Sequence, residues 1–303
     1  MEHTSDHKIA MIKIHQVGCV NNQLGEGPLW DQGLQHLFWL DSLKGEIWRL
    51  LKDGKTKRYK VPEMIGSLAI IGDDKAIVAL RGGLYLFSFS NQSLNKIWDL
   101  KGDQIDLRFN DGKTDRQGNF IVGSMCMKDR RHPRATLYRI NSELKVEVLE
   151  EDVIVTNGPC FSPNGSTFYF NDGRRRILAY DYDPKGPLKN KRIFFDGSKH
   201  NTNSDGATVD SDGNIWAALT GSHEIGCISQ SGDLIMRIPM PVKLPSSLMF
   251  GGPSLNELFV TSIRNSGNRV SNEPLAGSLF KITNTGAQGI PEQRFRFSVQ
   301  TAS

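Results

Sequence analysis

The chain has 303 residues, of which 38% are hydrophobic and 23% are charged, and its formal net charge is +4. This composition is typical of a globular protein, and neither a run of about 18 apolar residues nor the apolar segment of a signal peptide occurs, which argues against a membrane protein. The basic residues are dispersed and no aromatic ladder accompanies them, which argues against nucleic-acid binding. We therefore expect a cytoplasmic protein with no nucleic acid and no membrane as partner.

The cysteines and histidines do not form a recognisable metal or disulfide pattern. The four cysteines lie far apart and include no C-x-x-C pair, so we expect reduced thiols. The seven histidines include no H-E-x-x-H spacing, so the sequence does not support a histidine-based zinc site.

Six stretches share one pattern, in which a turn of Asp, Asn and Gly precedes a short run of aromatic and β-branched residues. This pattern is typical of a β-hairpin. In chain order the stretches are "DQGLQHLFWLD" from 31, "GDDKAIVAL" from 72, "DRQGNFIVGSM" from 115, "SPNGSTFYFND" from 162, "DSDGNIWAAL" from 210 and "PSLNELFVTS" from 253. Their central residues are separated by 39, 43, 48, 47 and 43 residues when measured at Trp39, Val78, Ile121, Tyr169, Trp216 and Phe259. A repeat of about 40–50 residues matches a four-stranded propeller blade.

Further strands fit between these hairpins, and no stretch shows the apolar spacing of a helix. Examples are "GEIWRL" from 45, "ATLYRI" from 135 and "GSLFKIT" from 277. We therefore predict an all-β fold, a six-bladed β-propeller with four-stranded antiparallel blades, as a single domain over 1–303 with its core at about 18–295. A β-sandwich or two smaller all-β domains are the alternatives, but no Pro/Ser-rich linker divides the chain. One terminus is expected to supply a strand that closes the ring.

Polar residues precede or begin the first strands of four predicted blades. Glu26 lies in "LGEGPLWD", Arg108 and Asn110 lie in "RFNDGKTD", Asn157 lies in "TNGPCFSP" and Asp205 lies in "SDGATVD". Each could simply hold a turn, but together they are expected to converge at one mouth of the channel. The oxygen atoms of Glu26, Asn157 and Asp205 suit one divalent cation, with Ca²⁺ first and Mg²⁺, Mn²⁺ or Zn²⁺ as alternatives.

At these residues the chain resembles the SMP-30/gluconolactonase/LRE family, which includes regucalcin. The matching stretches include "LGEGPLWD", "RFNDGKTDRQGNF", "TNGPCFSPNGSTFYFND", "SDGATVDSDGNIWAAL" and "AGSLFKI", and they extend in family order from about 24 to 282. The resemblance implies a six-bladed propeller with one divalent metal and the hydrolysis of sugar lactones. It also implies that Glu26, Asn157 and Asp205 are metal ligands, that Asp205 is the general base, and that Arg108 and Asn110 contact the substrate.

Two basic clusters, "KDRRHPR" from 128 and "GRRR" from 173, follow second strands and so belong to loops at the metal end of the predicted propeller. Several relatives carry an acidic residue that contacts substrate hydroxyls near the position of Lys128. The simpler interpretation is two solvated loops. The sharper hypothesis is that Lys128, Arg131 and Arg174 bind an anionic group of a sugar lactone.

The sequence therefore predicts a metal-dependent lactonase, monomeric or a small homo-oligomer, that acts on a sugar lactone. A covalent serine mechanism is not favoured, because no G-x-S-x-G motif is present. Two alternatives from other classes stay open: a metal-dependent hydrolase of other esters or phosphotriesters, and a non-catalytic calcium-binding propeller. Intact polar residues at the channel mouth favour catalysis over a scaffold. Either Asp205 or a metal-bound hydroxide could act as the base.

Overall fold

The structure, a computed structural model, describes residues 11–100, 106–129 and 132–298. Strands dominate this part of the chain, and its one helical element is a 3-10 turn at Gly197–His200. No helix in the described residues is long and apolar enough to cross a membrane. The strands form six four-stranded antiparallel sheets in a ring, which confirms the predicted six-bladed propeller.

The six blades follow one another along the chain, and each runs from its innermost to its outermost strand. Strand β1 (Lys13–Gln16) precedes blade 1, which contains β2 (Gly25–Asp31), β3 (His36–Asp41), β4 (Glu46–Leu50) and β5 (Thr56–Lys60). Blade 2 contains β6 (Ile65–Ile70), β7 (Lys75–Leu80), β8 (Gly83–Ser88) and β9 (Leu94–Asp99). Blade 3 contains β10 (Leu107–Thr114), β11 (Phe120–Cys126), β12 (Ala135–Ile140) and β13 (Val146–Val153).

The second half of the chain repeats this arrangement. Blade 4 contains β14 (Asn157–Phe161), β15 (Thr167–Asn171), β16 (Arg176–Asp181) and β17 (Lys189–Asp196). Blade 5 contains β18 (Ser204–Val209), β19 (Ile215–Leu219), β20 (Glu224–Ile228) and β21 (Leu234–Pro239). Blade 6 contains β22 (Pro245–Gly251), β23 (Glu257–Ser262) and β24 (Phe280–Thr283), and β1 is its fourth strand.

The hydrophobic core lies between neighbouring blades, and burial falls from the channel outward. The first, second and third strands are mostly buried, whereas the outermost strands contain many exposed residues. Each of the six residues used to measure the repeat lies in the second strand of its blade and is buried. The repeat detected in the sequence is therefore the inner hairpin of each blade, where aromatic and β-branched side chains pack against the next sheet.

The N-terminal strand closes the ring. Strand β1 pairs antiparallel with β24, from Lys13 opposite Thr283 to Gln16 opposite Phe280. This contact joins the two ends of the blade series, because β1 covers the edge of β24 and completes blade 6 as a four-stranded sheet.

A segment after blade 6 crosses the end of the channel where the innermost strands finish. The Glu292 side chain is only 7% exposed there, with its carboxylate 3.5 Å from the Lys113 ammonium and 3.5 Å from the Arg116 guanidinium. Arg294 makes two hydrogen bonds of 2.7 and 2.8 Å to the Asp31 carboxylate in blade 1. The opposite end, where the innermost strands begin, is left for the site.

Candidate active site

A cavity of about 340 Å³ opens at the end of the channel where the innermost strands begin. Its wall contains all five residues that the sequence places at the mouth: Glu26, Arg108, Asn110, Asn157 and Asp205. Four blades contribute these side chains. The structure therefore brings the predicted residues together, while their roles stay predictions.

Bulges in the innermost strands aim these side chains at the cavity. The pairing register of the first strand with the second shifts between Glu26 and Leu29, and between Asn157 and Cys160. A bulge bends its strand and re-aims a side chain, which explains why an otherwise alternating strand presents a polar residue to the channel. The glycine after Asn157 has φ of +54°, and a Cβ there would lie 2.5 Å from the backbone nitrogen of Ala207. Glycine at position 158 therefore lets blade 4 approach blade 5, which carries Asp205.

Glu26 has the strongest signature of a missing partner. Its Oε2 atom is buried and has no hydrogen-bond partner in the described structure. Burial raises the pKa of Glu26 well above its usual value, and the nearby charges of Asp111 and Asp205 raise it further. A buried carboxylate is costly unless it is paired or coordinates a metal, so this position fits a cation.

Asp111 is a site residue that the sequence analysis did not select. Its side chain is buried, and its Oδ2 atom accepts a 2.8 Å hydrogen bond from the Gly158 backbone N–H. Burial raises the pKa of Asp111 to about 7, and the charge of Asp205 adds to the effect. Asp111 follows Asn110 directly, so strict strand alternation would send it to the other face. A register shift between Phe109 and Gly112 removes that alternation.

The side chain of Asn110, in blade 3, holds the side chain of Asn157, in blade 4, in position. Its side-chain amide donates hydrogen bonds of 2.7 Å to Asn157 Oδ1 and 2.9 Å to the Thr156 carbonyl oxygen. Arg108 is buried, and its guanidinium donates a 2.7 Å hydrogen bond to the Phe109 carbonyl oxygen. Both predicted substrate contacts are thus held in place before any ligand arrives.

The donor set of the mouth is oxygen-rich. Glu26 and Asp205 supply carboxylates, Asn157 supplies an amide oxygen, and Asp111 adds a further carboxylate nearby. No group of three or more His, Cys, Asp or Glu residues with metal-binding geometry is found in residues 11–100, 106–129 and 132–298, so the fit depends on the amide. Oxygen donors from several carboxylates suit Ca²⁺, Mg²⁺ or Mn²⁺ better than a soft metal.

The loop between the second and third strands of blade 6 also reaches the cavity, and the sequence analysis did not assign it a role. Ser266, Asn268 and Arg269 contribute to the wall. The Arg269 guanidinium lies 3.6 Å from Asp205 Oδ2. The turn residues "NSGN" signal a loop, but nothing local in the sequence indicates that this loop faces a residue from blade 5.

The two basic clusters lie in the loops that the sequence predicts, between the second and third strands of blades 3 and 4. Lys128 is exposed and pairs with Asp106 at 2.8 Å, whereas Arg174 pairs with Asp172 at 2.6 Å. Neither side chain is in the cavity wall. Arg131 lies outside the described residues. The structure therefore does not bring Lys128 and Arg174 to the mouth beside Asp205.

Comparison with known proteins gives the family context of this site. Residues 24–264 match the family model described as the SMP-30/Gluconolactonase/LRE-like region. The chain is 31% identical to the 6-deoxy-6-sulfogluconolactonase of Pseudomonas putida, over 91% of this chain and 97% of that protein. It is 32% identical to the L-arabinolactonase of Azospirillum brasilense, over 94% of this chain and 98% of that protein.

A solved structure is similar in fold as well as in sequence. The chain superimposes on a calcium-binding protein, regucalcin, from Agrobacterium tumefaciens with a TM-score of 0.85 and 27% identity, covering 93% of this chain and 97% of that one. The ring of six blades therefore has a counterpart in a solved structure.

Proposed function

Because this chain belongs to the SMP-30/gluconolactonase/LRE-like family, we propose that it hydrolyses a sugar lactone to the aldonic acid and requires one divalent cation. The observation that carries this proposal is the meeting of Glu26, Asn157 and Asp205 in one cavity, with a buried Glu26 oxygen that has no partner. Two relatives that are named as sugar lactonases support the reaction class. A relative described as calcium-binding supports Ca²⁺ as the first choice.

Glu26, Asn157 and Asp205 would hold the cation. When bound, such an ion acts as a Lewis acid toward a carbonyl oxygen and makes a nearby water more acidic. Asn110 keeps the Asn157 oxygen in place through its 2.7 Å hydrogen bond, so a change at Asn110 would also disturb this ligand.

Asp205 is the proposed general base. In the hydrolysis, a water oxygen forms a bond to the lactone carbonyl carbon while Asp205 takes the proton that the water loses. The bond between the carbonyl carbon and the ring oxygen then breaks, and the proton returns to that ring oxygen to give the hydroxyl of the aldonic acid. No atom or electron pair is required beyond the lactone and one water molecule.

Arg108 and Asn110 are the proposed substrate contacts. Both N–H groups of the Asn110 amide are used by Thr156 and Asn157, which leaves its carbonyl oxygen to accept a hydrogen bond from a sugar hydroxyl. Arg108 supplies a buried cation with donors in a fixed fork, which suits the oxygens of the substrate. Both residues orient the ring against Asp205.

The test is turnover of a panel of aldono-1,4- and 1,5-lactones by chelated protein and by the same protein restored with Ca²⁺. We expect hydrolysis only after restoration, and at least a 100-fold loss in Asp205→Asn. Asp212→Asn is the matched control, because Asp212 is an exposed aspartate near Asp205 in sequence, and it should retain turnover. Absence of turnover across the panel, with calcium binding intact by calorimetry, would instead indicate another ester substrate or a binding role.

A further inference from the structure

The blade 6 loop presents a fixed turn to the cavity. Asn265 and Val270 form an isolated antiparallel bridge, and the Ser266 N–H donates a 2.9 Å hydrogen bond to the Arg269 carbonyl oxygen. Within the turn, the Gly267 N–H donates a 2.8 Å hydrogen bond to Asn265 Oδ1. These bonds define the backbone from which the Arg269 side chain extends toward Asp205.

Arg269 faces the cavity with donors to spare. Its Nη1 atom is 3.6 Å from Asp205 Oδ2, which is longer than a hydrogen bond, and its side chain is 38% exposed. A guanidinium has five N–H donors in a planar fork, so contact with one carboxylate on one edge leaves another edge for a second oxyanion.

The other cation of the cavity wall and the two described basic-loop candidates are less able to bind a charged substrate group in the cavity. Arg108 is buried against the Phe109 carbonyl oxygen. Lys128 and Arg174 pair with local aspartates and lie outside the cavity wall. Of the two cations in the described cavity wall, Arg269 is therefore the one whose side chain is partly exposed.

Apolar side chains from blades 1 to 4 and the loops between them also line the mouth. Leu43, Met64, Met127 and Ile154 are half-buried there and belong to the same cavity wall. A charged group would lose hydration against these side chains without gaining a hydrogen bond. Within the described wall, a charged substituent of the substrate therefore meets a partly exposed cation at the blade 6 turn.

We propose that Arg269 is a specificity-determining residue that binds a carboxylate, sulfonate or phosphate group carried by the lactone away from its reacting ester. This inference rests on the proposed lactonase function and names its substrate class as anionic sugar lactones. This inference differs from the hypothesis of the sequence analysis, in which the basic loops at Lys128 and Arg174 bind the anionic group. Ser266 and Asn268, in the same turn, supply further polar groups beside Arg269.

The experiment compares kcat/KM for glucono-1,5-lactone with kcat/KM for its 6-phosphate, 6-sulfonate and 6-carboxylate forms. Wild type should prefer an anionic form, and the three forms distinguish among the chemical sources of the charge. Arg269→Gln should lower the anionic-to-neutral ratio at least 10-fold, through KM, and Arg269→Lys should restore part of it. Lys128→Gln and Arg174→Gln are the matched controls and should leave the ratio within about 2-fold of wild type.

The outcomes separate the possible roles of Arg269. An equal loss on neutral and anionic lactones in Arg269→Gln would overturn the inference, because Arg269 would then act through Asp205 alone. A lowered ratio in the control variants, with an unchanged ratio in Arg269→Gln, would overturn it in favour of the basic loops. Equal wild-type turnover of all four lactones would also overturn it.

Failure of the lactonase proposal is recognised separately. If wild type hydrolyses none of the four lactones, calorimetry with gluconate and 6-phosphogluconate decides the inference. Tighter binding of 6-phosphogluconate that is lost in Arg269→Gln would support it, and equal binding of the two acids to wild type would overturn it.

Discussion

Replacing Glu26 by glutamine should stabilise the metal-free protein and remove its response to calcium. The Glu26 carboxylate is buried, lacks a partner for Oε2 and lies near the charges of Asp111 and Asp205. Glutamine keeps the size of the side chain and removes the charge. Relief of an uncompensated buried charge is worth on the order of 2 kcal/mol in the free energy of unfolding.

This free energy converts into a measurable shift in Tm. The entropy of unfolding is about 2.1 cal/mol/K per residue, so a chain of 303 residues has roughly 0.6 kcal/mol/K. We therefore expect Glu26→Gln to raise Tm by about 3 °C in the presence of a chelator at pH 7. Wild type should gain about 2.7 kcal/mol, or about 4 °C, when free Ca²⁺ is 100-fold above Kd, and the variant should gain nothing.

The difference in Tm between Glu26→Gln and the chelated wild type should depend on pH in one direction. The pKa of Glu26 is raised in the folded state, so its ionisation opposes folding above the unfolded pKa of about 4.3 and has no effect when the carboxyl is neutral in both states. The difference in Tm between the variant and the chelated wild type should therefore shrink as pH falls from 7 to about 4.

Glu292→Gln is the matched control, because the Glu292 side chain is only 7% exposed but has cationic partners in Lys113 and Arg116. It should lower Tm by about 5 °C, equivalent to about 3 kcal/mol, and retain the calcium shift. Differential scanning calorimetry of the three proteins with chelator and with Ca²⁺ makes the comparison. A metal-free Glu26→Gln protein that melts below wild type, or one that keeps the calcium shift, would refute the reasoning.

Three further predictions concern other parts of the molecule. Burial is the largest single influence on Asp31 and raises its pKa, but hydrogen bonds from Arg294, Leu34 and Gly33 together with the Arg294 charge outweigh burial and lower the pKa. Asp31→Asn should therefore cost about 2 kcal/mol in urea unfolding at pH 7, and this cost should shrink progressively as pH falls below about 4; a constant cost would contradict the ion pair. Gly206→Ala places a Cβ 2.0 Å from Ser247 Oγ, so it should displace the adjacent Asp205, a proposed metal ligand, and weaken the proposed calcium binding at least 10-fold by calorimetry; unchanged affinity would contradict this packing. Cys19 is exposed, so a thiol reagent should modify one cysteine rapidly and three only after unfolding; a second fast thiol would contradict the described burial. The three slow thiols are Cys126, Cys160 and Cys227, and burial raises the pKa of Cys160 and Cys227 to about 12.

The blade pattern was predictable because it is local. Each inner hairpin combines a turn of Asp, Asn and Gly with a short run of aromatic and β-branched residues, and both signals lie within about ten residues of each other. The sequence analysis expects one of the two termini to supply the strand that closes the ring, but it does not choose between the termini. The strand Lys13–Gln16 is short and mostly exposed, so its pairing with β24 leaves little hydrophobic signal in the sequence.

The site was predictable only where a polar residue begins a first strand. Asp111 was missed because a bulge decides which way its side chain faces, and a bulge is a property of two paired strands. Arg269 was missed because its partner Asp205 comes from another blade, 64 residues earlier in the chain. The basic loops were placed correctly, but Asp106 and Asp172 neutralise Lys128 and Arg174 locally.

Ring closure by β1 has a consequence for biosynthesis on the ribosome. Lys13 is made 270 residues before its partner Thr283. At about 5–20 residues per second, the first strand waits roughly 15–50 s for its place in the sheet. Blades 1 to 5 can form their hairpins as they emerge, whereas blade 6 is completed only after residues up to Thr283 have left the exit tunnel. A truncated nascent chain would therefore display the open edges of an unfinished ring, which are the edges that chaperones and misassembling partners engage.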